Sequence, residues 1–300
     1  MLRRNAIQRI IMSTLALTIM LLLCVFPKSN DISIPEEIVY VEELTMPIYV
    51  MDQNNYVART SVVKANSDDE IKYIINALTI GSINAHYLPN GFTGILPQNT
   101  KLIDYSLENK LLKINLSKEF LNVSKNNEEK AIESLIYSLC ELEGVAKIMI
   151  FVEGQSLTKL PNSQKSLPLI LDKSYGINKI YNFDNIKDTS MTTIYYIGKY
   201  NNNLYYIPIS KISNDKVEPV EVIVNELKST PIYETNLISY LNASYELQGY
   251  EVLENSISLS FNNQLIANLS DEDINEEVRY TLSLSLRDTY NIDNIIINLE

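Results

Sequence analysis

One short pattern occurs twice in the chain and limits what it can fold into. Residues 128–154, EEKAIESLIYSLCELEGVAKIMIFVEG, read as an amphipathic helix, a turn and an apolar strand that stops at a glycine. Residues 275–300, NEEVRYTLSLSLRDTYNIDNIIINLE, read the same way. Ile132, Leu135, Ile136, Leu139 and Leu142 form a helical stripe in the first copy, and Val278, Leu282 and Leu286 a narrower one in the second. A pattern written twice means that two units bury the same faces in the same order.

The repetition extends upstream. A strand through Ile48-Tyr49-Val50 turns at 52–55 and returns over 56–64, and one through Ile194-Tyr195-Tyr196 turns at 201–203 and returns over 204–210. SDDEIKYIINAL follows, with Ser67 and Glu70 at capping-box spacing and a stripe of Ile71, Ile74, Ile75 and Leu78. In NDKVEPVEVIVNEL, Asp215 and Glu218 are the expected caps and Pro219 suits the first turn. Its stripe of Val220, Ile223, Val224 and Leu227 lies 149 positions after the first. The connection at 86–102, HYLPNGFTGILPQNTKL, has its expected counterpart at 239–252, SYLNASYELQGYEV, which lacks the prolines. Hairpins then turn at Glu108-Asn109 and Glu254-Asn255. Leu112, Ile114 and Leu116 alternate with polar residues, as do Ile257, Leu259 and Phe261.

Each unit therefore reads β-β-α-β-β-α-β. The fold class expected is α+β: two tandem repeats, each a mixed or antiparallel sheet with two helices packed on one face. The repeats are placed at 45–154 and 191–300, joined by a partly docked linker at 155–190.

Residues 1–26 carry Arg3, Arg4 and Arg9 ahead of an apolar run from Ile10 to Phe26, the order of an export signal or membrane anchor. Three outcomes stay open: an uncleaved anchor, a lipoprotein signal with lipid on Cys24, or a short buried helix. Residues 27–44, rich in Ser, Pro, Asn and Glu, read as a spacer.

A net charge of -12 argues against nucleic acid as a partner. Eight glycines leave no glycine-rich phosphate site, and a lone histidine, His86, leaves no zinc set. Cys140 sits in a helical pattern as a small core residue. The acidic groups at 68–70, 128–129, 271–273 and 276–277 fall at helix starts, where carboxylates suit the macrodipole. No catalytic, cofactor-binding or metal-ligating residue is expected, and no enzyme activity. Pro89, Gly91 and Gly94 read as a turn feeding the next strand.

Particular residues carry a family resemblance: Leu88-Pro89-Asn90-Gly91, Asn115-Leu116-Ser117-Lys118-Glu119-Phe120, Tyr137-Ser138-Leu139, Gly144-Val145, Val152-Glu153-Gly154 and Gly176-Ile177-Asn178. With the N-terminal signal, the chain resembles the GerM-type sporulation and spore-germination proteins, which carry tandem GerMN domains outside a membrane. Asn115 stands where that family often has Asp, and the second repeat lacks the LPNG element. The resemblance implies a non-enzymatic assembly role between the mother-cell and forespore membranes, supporting the channel that links the two cells and, later, germination. The implied partners are membrane-channel or other envelope proteins, with self-association and membrane attachment through the N-terminus. Leu88, Pro89, Gly91, Asn115, Leu116, Phe120, Gly144 and Gly154 are expected to be structural. A second reading is an exported protein that binds cell-wall fragments or germinants in a pocket between the repeats, lined by Tyr and Asn.

Overall fold

The computed structural model describes residues 4–25, 45–63, 69–183, 187–214, 216–229, 236–241, 243, 245–262 and 275–299. Met1–Glu42 and Glu43–Glu300 are two separate compact units.

The N-terminal unit contains helix α1 (Arg4–Val25). Its apolar side chains Ile11, Met12, Leu15, Leu17, Ile19 and Met20 are all exposed. Among the described residues no helix is long and apolar enough to cross a membrane. The side chain of Cys24 lies outside the described residues.

The larger unit opens with strands β1 (Thr45–Asp52) and β2 (Val57–Val63), helix α2 (Glu70–Leu78) and the short strand β3 (Phe92–Thr93). Strands β4 (Leu102–Glu108) and β5 (Leu111–Leu116), helix α3 (Glu128–Leu139), and strands β6 (Lys147–Val152) and β7 (Gln155–Ser156) complete the first repeat. After strand β8 (Ile180–Asn182), the order returns as β9 (Ser190–Tyr200), β10 (Asn203–Ser213), α4 (Pro219–Lys228), β11 (Leu247–Val252), β12 (Ser256–Phe261), α5 (Glu276–Tyr290) and β13 (Asn294–Leu299). The α+β class and the repeated β-β-α-β-β-α-β order are those read from the sequence.

The stripe pattern does not convey that each repeat divides its strands between two sheets. The opening hairpins β1–β2 and β9–β10 belong to one six-stranded sheet shared by both repeats. The later strands form β4-β5-β6-β7 in the first repeat and β11-β12-β13 in the second. In each of these the first pair is antiparallel and the second parallel. The parallel step requires a crossover, which α3 and α5 supply. Residues 131–139 of α3 are all buried because the helix touches both β1 and β6, a middle layer rather than a cover. β1 is buried almost throughout for the same reason.

The helix starts differ in detail from the expected caps. Ser67 and Asp215 lie outside the described residues. Asp69 caps α2, accepting from the Lys72 N–H at 2.9 Å. Glu218 occupies the cap position of α4 without a side-chain bond, and Pro219 opens that helix as anticipated. Glu128 does more than oppose the dipole of α3: it accepts from the backbone N–H groups of Asn162 (2.8 Å) and Ser163 (3.1 Å), pinning the linker. Leu160, Leu167, Leu171 and Ile177 of that linker are buried in the core of the first repeat.

Candidate functional site: the junction between the repeats

β2 and β10 are the second strands of equivalent hairpins, and they meet antiparallel with Arg59 opposite Tyr206. Antiparallel contact of equivalent strands is the relation a two-fold axis produces. The contacts around it repeat accordingly. Ser138 Oγ of α3 accepts from the Tyr49 N–H at 2.9 Å, and Ser285 Oγ of α5 accepts from the Tyr195 N–H at 2.8 Å. Ser134 also donates to the Tyr49 carbonyl at 2.5 Å. Helix hydroxyls thus satisfy backbone groups that β1 and β9 direct away from their hairpin partners.

The two tyrosine hydroxyls meet at 2.8 Å. Tyr195 donates to Asp288 Oδ2 near the end of α5, so the single Tyr49 proton is shared between the Tyr195 oxygen and, at the longer distance of 3.2 Å, Glu141 Oε1 just beyond the end of α3. Lys173 of the linker bridges the acids, 2.7 Å from Glu141 Oε1 and 2.8 Å from Asp288 Oδ1. Arg287 reaches the same atoms at 2.6 Å and 3.1 Å. Arg59 donates to the Tyr280 hydroxyl at 3.2 Å, with its guanidinium over that ring.

The carboxylates are deeply covered: the side chain of Glu141 is 7% exposed and that of Asp288 1%. Burial raises both carboxyls, but Lys173 and Arg287 outweigh it and hold each below its ordinary value. The hydroxyls of Tyr49 and Tyr195 are pushed well up, by burial first and then by the neighbouring carboxylates. The cluster is therefore a set of fixed charges with protonated tyrosines between them, matched to each other rather than open to a ligand.

Asn178 closes the sheet where β2 and β10 separate. Its Oδ1 accepts from the Val57 N–H at 2.9 Å, and its Nδ2 donates to the carbonyls of Val57 and Pro208, both at 2.8 Å. Pro208 has no N–H to offer a strand, so a side-chain amide takes the place of ladder bonds there. The backbone N–H of Asn178 is held by Glu133 Oε2 at 3.0 Å, and Lys179 pairs with Glu133 at 3.1 Å.

The LPNG loop belongs to the same junction. β3 pairs with the end of β1, Met51 facing Thr93, and Ile197 of β9 faces Ile238 in the same manner. Gly91 and Asn236, two residues before Thr93 and Ile238, both have positive φ, 95° and 54°. Gly91 packs on the ring of Tyr200 in the other hairpin, and Asn236 donates to Asn54 Oδ1 at 3.2 Å in the first. The geometric counterpart of LPNG in the second repeat thus centres on Asn236, ahead of the 239–252 segment expected from sequence. Tyr205 donates to the buried Asp52 carboxylate at 2.9 Å and packs edge-on to Phe92.

The remaining motif residues sit within the first repeat. Leu116 and Phe120 are fully buried, and Leu88 packs against the same core. Gly154 donates its N–H to Asn115 Oδ1 at 2.9 Å, Asn115 donates to Asp104 Oδ2 at 2.9 Å, and Glu153 accepts from the Lys118 N–H at 2.9 Å. NLSKEF and VEG therefore lock to each other. Gly144 takes φ 82° in the turn before β6. His86 is exposed, and Cys140 is half-buried at the end of α3, burial pushing its thiol up to about 12. A shallow pocket of about 200 Å³ lies on the outer face of the first repeat's sheet, lined by Asp104, Ser106, Lys113, Asn115, Phe151 and Gly154 among others. The space between the hairpins at Tyr49 and Tyr195 is filled by side chains.

This arrangement of two β-β-α-β-β-α-β repeats joined through their hairpins is the tandem GerMN fold, shared with a solved structure described as the tandem GerMN domains of the sporulation protein GerM from Bacillus subtilis. The match has a TM-score of 0.77 at 21% identity and covers 86% of this chain and 91% of that one. Residues 47–158 match the family model "Germane: Sporulation and spore germination". The chain is also similar to the Bacillus subtilis (strain 168) "Spore germination protein GerM", with 23% identity over 258 residues, 84% of this chain and 70% of that protein. The chain thus shares the tandem GerMN fold and is similar in sequence to GerM-type sporulation and germination proteins.

Proposed function

We propose that the chain is a non-enzymatic assembly protein of the sporulating cell envelope, facing outside the cytoplasm and supporting the channel complex between mother cell and forespore. The observation that carries this reading is the junction: a rigid body made by locking two modules together with buried charges, with its sheets left open at their outer strands. Such a body works by binding assembled partners better than free ones, which stabilises the complex by mass action. Attachment to the membrane falls to the N-terminal unit, whose helix exposes apolar side chains, or to lipid on Cys24.

Crosslinking in sporulating cells followed by purification of the full chain tests the proposal. Channel proteins of the two membranes are expected in the eluate, and their levels should fall in a deletion strain. Recovery of cell-wall fragments alone, with channel proteins unchanged by the deletion, overturns it in favour of a ligand-binding protein. The pocket beside Asn115 gives that second reading a concrete location.

A further inference from the structure

β4 is the outermost strand of its sheet, so one side of its backbone has no strand partner among the described residues. Its residues from Ile103 to Glu108 are all exposed. They alternate in character. Tyr105 and Leu107, 41% and 42% exposed, stand opposite the core residues Ile114 and Leu112, and Ile103, 49% exposed, precedes them at the register shift. Asp104, Ser106 and Glu108 take the other face. α3 covers the inner face of the sheet but leaves this apolar row accessible. β4 contains no lysine or proline, and its one edge-blunting feature is a register shift between Leu102 and Asp104 at its start. The matching edge in the second repeat, β11, has the equivalent register shift at Leu247/Gly249 but a single acid on its outer row, Glu251, against the two of β4.

We infer that β4 is a docking edge for a β-strand of another protein in which apolar residues alternate with Lys or Arg. The apolar residues continue the row of Ile103, Tyr105 and Leu107, and the basic ones stand beside Asp104 and Glu108. Charge selects this occupant over a second copy of the chain: antiparallel self-pairing about Ser106 sets Asp104 against Glu108, a repulsive arrangement. Lys113 sits opposite Ser106 on β5, diagonal to Asp104 and Glu108, so it offsets part of their charge, and the row retains one net negative charge for an added strand to meet. The inference rests on the assembly reading for the source of the strand, but the edge can be tested without it.

The probe is a synthetic peptide about as long as β4 that alternates valine and lysine. The controls are a peptide of the same composition with its valines and lysines in blocks, and a valine–glutamate alternation. Binding to the full chain is followed by fluorescence anisotropy, and hydrogen exchange is read on peptides covering 102–108. The alternating basic peptide is expected to bind, to slow exchange in β4 and not in β11, and to bind about tenfold more weakly to a Leu107→Lys, Glu108→Lys variant of unchanged circular dichroism. Equal binding of the block or the acidic peptide, protection elsewhere than β4, or no binding by the alternating peptide overturns the proposal. Such a failure leaves the crosslinking test of the assembly role unaffected.

Discussion

Tyr49 and Tyr195 hold the same place in successive repeats and touch hydroxyl to hydroxyl at 2.8 Å. Each also lies within hydrogen-bond distance of a carboxylate near the end of its own repeat's second helix, so a single contact joins two strands and two helices. Tyr195→Phe removes the donor to Asp288 and leaves that buried oxygen short of a partner. A loss of about 1–3 kcal/mol is expected in urea unfolding. The double variant with Tyr49→Phe should be non-additive by about 0.5 kcal/mol or more, because the two share one network. Additive losses would mean that the hydroxyls act independently.

Arg287 neutralises Glu141 and Asp288 together with Lys173. Arg287→Met leaves the two buried carboxylates to Lys173 and to Arg59, whose Nη2 lies 3.9 Å from Glu141 Oε2. The expected cost is about 3 kcal/mol, the usual penalty for breaking a buried charge set from one side. Thermal unfolding of the variant, with Lys147→Met at an exposed position of β6 as control, checks it. A shift equal to the control's would place the guanidinium outside the network.

The carboxyls of Glu141 and Asp288 are held below their ordinary values in the folded chain. They bind protons less readily folded than unfolded, so their contribution is fully present above the ordinary carboxylate range. It is lost as pH falls through and below that range. Glu133, raised by burial against the pull of Lys179, works in the opposite sense and blunts the fall. Urea midpoints measured from neutral to acid pH should therefore decline, and Glu141→Gln should lower the neutral midpoint while flattening the slope. A slope unchanged by that substitution would remove Glu141 from the account.

The stripes and hairpins were legible because burial against one neighbour imposes a period, and a period shows within ten residues. Tyr49, Ser138, Glu141, Lys173 and Asp288 carried no such mark, since their partners are far along the chain and each residue alone reads as composition. Ser138 and Ser285, like Tyr49 and Tyr195, recur at matching places in the two repeats, and that recurrence is the sequence signal that points to the junction. The kinship of Gly91 and Asn236 was hidden by chemistry: glycine reaches positive φ by lacking a Cβ, asparagine because its short polar side chain tolerates the left-handed region. A search for a second LPNG looks for the residue rather than the backbone angle.

Gly91 itself has two constraints. Its φ is 95°, and an added Cβ would lie 2.6 Å from the Tyr200 ring. Gly91→Ala therefore strains the loop and pushes on the other repeat, at an expected cost above about 1 kcal/mol. Tyr200→Ala in the same chain should recover the part due to the ring and leave the part due to φ. Full recovery would mean that the backbone angle costs nothing, and no recovery that the loop yields without touching the hairpin.

Asn178 offers the sharpest test of how the repeats are joined, because one side chain stands in for several ladder bonds. Asn178→Ala strips partners from the Val57 N–H and from the carbonyls of Val57 and Pro208, and about 2–3 kcal/mol of stability should go with them. Asn178→Asp keeps an acceptor for Val57 but turns both donated bonds into repulsions against carbonyl oxygens, so it should be at least as damaging. Hydrogen exchange locates the effect: the Val57 and Tyr206 amides should lose protection first, ahead of the β4–β5–β6 sheet. Uniform loss across the chain would instead mean that the two repeats and their shared sheet open in one step, with no weaker seam between β2 and β10.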